Sequence, residues 1–316
     1  MTRRPEPGAA VVLVGGHESG NGADLSFVPD LMPGVFVSPA GRSLHNLLTQ
    51  LLDRGGDVSG SGPQPVVVLP MTFGRNPTLI ADTAKTLHWL SAAGGTTNAG
   101  PQLALSEPFG TPDHLTAWLR TAATEVRRRE AASAVLITAD AANPFDDADL
   151  YRISHLVRTH GAGIPVETAA VSSVEALLEA VQRLRLLGST HAFVVPAGFR
   201  RAATVYSDVV PYGEGGFSGV EFYGALMSEK AVLRVISERV RDTLHALSHG
   251  RTGVEAGLQA DHGHGYAHSH AFEESGGHSH PHSSGMAAGH PHSHPRPDRQ
   301  ELTGSPPHNH MQRPAR

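Results

Sequence analysis

Residues 10–19 read AVVLVGGHES. Five apolar side chains run without polar alternation, and two glycines and a histidine follow them. Such a run suits a strand covered on both faces of a parallel sheet, and the carboxyl end of that strand is where open α/β sheets place their ligands. Runs of the same kind recur at VVVLP (66–70), QLALS (102–106), SAVLIT (133–138), PVETAAV (165–171), HAFVVP (191–196) and VEFYG (220–224). Amphipathic helical patterns lie between them, at 42–53, 77–93, 112–129, 146–160, 173–187 and 228–247. Strand and helix alternate, which predicts an α/β fold with mainly parallel sheets and right-handed crossovers.

Outward from that first strand the chain repeats itself. AVVLVGGHES matches AVLITADAAN (134–143), and VVVLPMTFGRNPTLIADTA (66–84) matches FVVPAGFRRAATVYSDVV (193–210). LALSEPFGTPDHLTAWLRTAATEVR (103–127) matches FYGALMSEKAVLRVISERVRDTL (222–244). The expected organisation is two tandem βα halves, 1–130 and 131–250, followed by a disordered, histidine-rich metal-binding tail over 251–316. The halves diverge after their first strands. The second has a helical pattern at 146–160, whereas the first has GNGADLSFVPDLMPG (20–34), rich in glycine and proline and read as a loop or broken helix that leaves that wall open.

Composition removes several function classes. The chain has 316 residues, 39% hydrophobic and 17% charged, with a formal net charge of −5. Nothing in that balance marks a protein that tracks nucleic-acid phosphates. Cysteine is absent, so disulfides, thiolate metal sites and a cysteine nucleophile are excluded. No apolar stretch approaches the roughly 20 residues that span a bilayer, and the apolar run after Arg3 and Arg4 is too short for a signal-peptide core. The expected location is cytoplasmic, with no membrane partner. No P-loop, Gly-x-Ser-x-Gly elbow or His-Glu-x-x-His motif is present.

The tail has a different chemistry. Twelve of the 21 histidines fall there, at His262, His264, His268, His270, His278, His280, His282, His290, His292, His294, His308 and His310. Glycine, serine and proline fill the gaps, a composition too poor in large apolar residues to form a core. Imidazoles two residues apart on a pliant chain can close on one ion, and neutral imidazole suits zinc, nickel, cobalt and copper alike.

In the globular part His17 is the sharpest candidate. Gly15 and Gly16 admit a ligand close to the backbone, while Glu18 and Ser19 offer oxygen. Glu107 ends the third strand, and His114 follows it in EPFGTPDHL at a helix start, where metal binding and helix capping are both open. Asp140 holds the place of the His17 turn in the second half. His45 and His88 lie in helical patterns and read as ordinary helix residues.

With the Gly-His turn after strand one, the proline-closed second strand, the EPFG…H turn and the tandem repeat, residues 9–247 resemble the sirohydrochlorin chelatase family (CbiX type). These are class II tetrapyrrole metal chelatases, which insert Co²⁺ or Fe²⁺ without nucleotide hydrolysis. The resemblance implies that His17 is the first active-site histidine, and that SEPFGTPDHL corresponds to a Pro-Leu-Gly-Pro-His-Pro segment through Pro108, Gly110, Pro112 and His114. It also implies a departure. Asn76, Pro77 or Thr78 stands where the family's second histidine is expected, so a substitute ligand would come from Glu18, Glu107 or His114. The implied activity is cobaltochelatase-like insertion of a divalent metal in cobalamin or sirohaem biosynthesis. Co²⁺ leads and Ni²⁺, Fe²⁺ or Zn²⁺ are alternatives. His17 and Glu18 are the catalytic pair, and Arg42, Arg75, Arg200 and Arg201 are cations near the tetrapyrrole. One chain supplies both halves, which suits a monomer. The other reading is a non-catalytic metal chaperone or store on a degenerate chelatase scaffold.

Overall fold

Strand β1 (Ala10–Gly15) is buried along nearly its whole length because its side chains alternate between two apolar layers. Val11 and Leu13 enter one hydrophobic cluster, and Val12 and Val14 enter another on the opposite face. The computed structural model describes residues 9–54, 64–93, 102–160, 163–202 and 219–260, all within one compact unit, Met1–Ala267. The twelve tail histidines lie outside the described residues.

The described strands form two four-stranded parallel sheets of the same topology. In the first, β1 lies between β2 (Val35–Pro39) and β3 (Val66–Met71), and β4 (Leu103–Leu105) closes the far edge. In the second, β5 (Ser133–Asp140) lies between β6 (Val166–Val171) and β7 (His191–Pro196), with β8 (Gly219–Phe222) at the edge. The repeat seen in sequence is therefore a repeat of topology. The registers agree as well: Val14 faces Pro70 in one sheet and Thr138 faces Pro196 in the other, so the two prolines sit at the same level in β3 and β7.

Eight α-helices are described: α1 (Phe27–Leu31), α2 (Arg42–Arg54), α3 (Pro77–Ala93), α4 (Pro112–Arg129), α5 (Pro144–His160), α6 (Val174–Leu186), α7 (Glu229–Ser248) and α8 (Val254–Leu258). Six of them fall within two residues of the sequence expectation. Two local features differ from it. VFVSP forms the short strand β2, and residues 251–260, expected as the start of the tail, carry α8. That helix packs on α3 and β4, and the Leu105 N–H donates to the Thr252 carbonyl at 2.7 Å.

Helices α2, α3 and α8 cover the outer face of the first sheet, and α6 covers that of the second. The inner faces of both sheets share one core with α1, α4, α5 and α7. Within it the last long helices are exchanged. Helix α4, which follows the first half's final strand, packs on α5, β5 and β7, while α7 packs on β3 and β4. A polar latch adds to this crossing. The Tyr223 hydroxyl, just after β8, donates to Glu125 on α4 at 2.7 Å, and Arg129 pairs with the same carboxylate while lying over the Tyr223 ring.

Candidate functional site

The chain leaves β1 through Gly15 and Gly16 and tightens into a 3₁₀ stretch, His17–Leu25. The Gly16 carbonyl gathers it by accepting from the N–H groups of Ser19 and Asn21. The backbone then returns so closely that a Cβ on Gly15 would meet the Gly22 nitrogen at 2.2 Å, and Gly22 itself sits at φ +99°. The glycine pair therefore serves a chain crossing at the strand end. This irregular turn occupies the place that α5 takes in the second half.

His17 points from the turn towards the second half. Its Nε2 lies 3.2 Å from Oδ2 of Asp146, with side-chain exposures of 17% and 7%. The approach is close but not aligned as a hydrogen bond, since neither ring nitrogen of His17 has a hydrogen-bond partner. Asp146 stands in the first turn of α5. Asn143 Oδ1 accepts from the N–H groups of Phe145 and Asp146 and so fixes the helix start, where the helix dipole favours a carboxylate. Two donor atoms this far apart fit one ion, because ligand bonds of about 2.1 Å at tetrahedral or right angles place the donors roughly 3.0–3.4 Å apart.

A small cleft of about 20 Å³ beside His17 opens to solvent. Asp24, Thr138, Asp140, Gly198 and Arg200 line it with His17 and Glu18. Burial holds the Asp24 carboxyl above the usual carboxylate range, and Arg200 opposes that shift. Arg200 is itself held by both oxygens of Asp140, at 2.8 and 2.6 Å.

Glu18 is buried, and its carboxylate turns away to the loop after β3. One oxygen accepts from the Thr72 hydroxyl and the other from the Phe73 N–H at 3.0 Å. The Glu18 carbonyl accepts from the Phe199 N–H at 2.9 Å, in the matching loop of the second half. Gly198 permits that approach, because a Cβ there would lie 2.5 Å from the Glu18 carbonyl oxygen. Phe73 and Phe199 stack at 5.2 Å beneath this brace, with Phe109 edge-on to both. Both carboxylate oxygens of Glu18 are thus engaged within the first half, and its main-chain carbonyl makes the link to the second.

The other expected site residues lie apart from His17. Glu107 is exposed and lines a separate cleft with Thr243, Gly253 and Ala256, which shares no residue with the His17 cleft. His114 is exposed in the first turn of α4, where its N–H donates to the Thr111 hydroxyl and its Nδ1 accepts from the Thr111 N–H. Arg75 is fully buried, donates to the Ala197 carbonyl at 3.3 Å, and leaves Nε and Nη2 without partners. Arg201 donates to the Met227 carbonyl and lies over the Phe27 ring. Arg42 is exposed at the start of α2. Among the described residues no three histidine or carboxylate side chains are gathered as a ligand set.

Asp146, beside His17, and Asp24, in the cleft, are the residues that sequence reading passed over. Asp146 is half of an Asp-Asp pair opening a helix, a pattern that dipole complementarity alone explains. No protein-family model matches the chain, and no curated protein matches it. Among solved structures it is similar to "SirB from Bacillus subtilis with Fe3+", at 13% sequence identity and a TM-score of 0.45, over 78% of this chain and 98% of that one.

Proposed function

We propose that this chain is a metal chelatase that holds a divalent ion between His17 and Asp146 and passes it to a tetrapyrrole lying across the mouth of the cleft. The observation that carries this reading is the 3.2 Å separation of two unlike donors, an imidazole and a carboxylate, each supplied by a different half. Two protein ligands leave the remaining coordination positions to water and so to an incoming macrocycle. Insertion exchanges one M²⁺ for two pyrrole protons. Neutral imidazole can ligate the ion or accept one proton, and Asp24, raised by burial, is a second group in the cleft suited to proton uptake.

Co²⁺ and sirohydrochlorin are the proposed substrates, on the strength of the sequence resemblance. Arg200 at the rim is the cation nearest the proposed macrocycle. In this reading the histidine-rich tail raises the metal concentration near the cleft, and a single chain with both halves works as a monomer.

The test is the absorbance change of sirohydrochlorin with Co²⁺ and the full-length protein. His17→Ala is expected to lower the rate by about 10²-fold or more. Asp146→Asn is expected to raise the Co²⁺ needed for half-maximal rate by about tenfold, as loss of a charged ligand should. Wild-type rates from both variants would overturn the assignment. A protein that binds Co²⁺ through these two residues yet converts no tetrapyrrole would instead be a metal chaperone or store.

A further inference from the structure

The end of α7 carries two exposed histidines, His245 and His249, one helical turn apart. Their ring centres are 4.8 Å apart and their planes nearly perpendicular, at 83°. Side chains four residues apart share one helix face, so the pair meets without distorting the backbone. With metal–nitrogen bonds of about 2.1 Å, two imidazoles bound side by side to one ion have ring centres roughly 4.5–5.2 Å apart. The observed spacing falls inside that window.

The surroundings favour a cation as well. His245 lies in the last turn of a 20-residue helix and His249 is its C-cap, at the negative end of the helix dipole. The one carboxylate a turn earlier, Asp242, is paired with Arg241 at 3.2 Å and is not needed as a ligand. Neither histidine lines the His17 cleft.

We propose that His245 and His249 form a second, surface metal site that takes a divalent transition-metal ion of the zinc, cobalt or nickel type. Two imidazoles leave the other coordination positions to water, so the ion is held loosely and exchanges readily. The site stands independently of metal insertion at His17.

Site-resolved histidine labelling of the full-length chain tests it. The protein is treated with diethylpyrocarbonate, with and without excess Zn²⁺, and each modified histidine is located by peptide mapping, so tail histidines are read separately. His245 and His249 are expected to lose reactivity together, by about fivefold at four-fifths occupancy, with one midpoint Zn²⁺ concentration. Exposed His88 is expected to stay reactive. In His249→Ala, protection of His245 should disappear. Undiminished labelling of both rings in Zn²⁺ would overturn the site, as would protection of His245 that persists in His249→Ala. In the former case the ring contact would be an edge-to-face packing only.

Discussion

Tyr223 and Glu125 form a hydrogen bond whose strength follows pH in both directions. The Tyr223 hydroxyl holds the Glu125 carboxyl below its ordinary range, with Arg129 adding to the effect. Burial and the same bond push the Tyr223 phenol up to about 12. A depressed carboxylate contributes stability above its unfolded pKa and loses it as pH falls through the folded value. A raised phenol contributes below its unfolded pKa, near 10.0, and loses it as pH climbs through about 12. Tyr223→Phe is therefore expected to cost about 0.5–1.5 kcal/mol at neutral pH. The gap from wild type should narrow below about pH 4 and above about pH 10. Urea melts at five pH values would check this, and a gap constant across the range would contradict it. At this scale the sequence was only half legible. His17 stands out as a candidate through the Gly-Gly-His turn at a strand end, but Asp146 approaches it from the other half of the chain, and nothing local separates that acid from Asp147 beside it. Glu18 and Arg75 were visible as polar residues near the cleft. Their burial as braces between halves depends on contacts with Phe199 and Ala197 that no neighbouring residue announces.

The strands were readable where both faces are buried, because Val11 to Val14 and Val66 to Leu69 are short, unbroken apolar runs rich in β-branched valine. Strand β2 escaped because Val35–Pro39 has only five residues, sits after a glycine-rich crossing and is half-exposed in its middle. Helix α4 shows a different kind of ambiguity. Its Pro112-Asp113-His114 opening carries a helix-start signal and a metal-ligand signal at once, and the Thr111–His114 capping bonds give the first a physical basis. Thr111→Ala should cost about 1 kcal/mol of stability. His114→Ala should cost only roughly a few tenths, since one reciprocal bond at an exposed end is lost. Neither change should alter the rate of the metal insertion proposed for His17, and a large fall in that rate in His114→Ala would place the imidazole in the chemistry after all.

At the scale of the molecule, sequence reading found two similar halves, and the structure adds that they are not separable bodies. Helix α4 buries Leu115, Leu119, Ala122, Ala123 and Val126 in the shared core, against the second sheet. Helix α7 brings Val232, Ile236 and Val240 to the first. No repeat pattern encodes which sheet a helix covers, so this exchange was invisible in the chain. A fragment of residues 1–130 is expected to lack a cooperative thermal transition, because the inner face of its sheet and the apolar stripe of α4 both lose their cover. Mixing it with residues 131–260 should restore the transition. A sharp, independent melt of the first fragment alone would show that the exchange adds little.

The exchange also sets an order of events during synthesis. The first sheet is complete when β4 leaves the ribosome, yet its cover, α7, begins roughly 120 residues later, which at about 5–20 residues per second is roughly 6–25 s of translation. For that interval Val67, Leu69 and Met71 face either water or a provisional partner. Helix α4, already made, is the nearest apolar surface to hand. A chain that lays α4 on its own sheet during that interval must release it when the second sheet appears, before the exchanged arrangement can form.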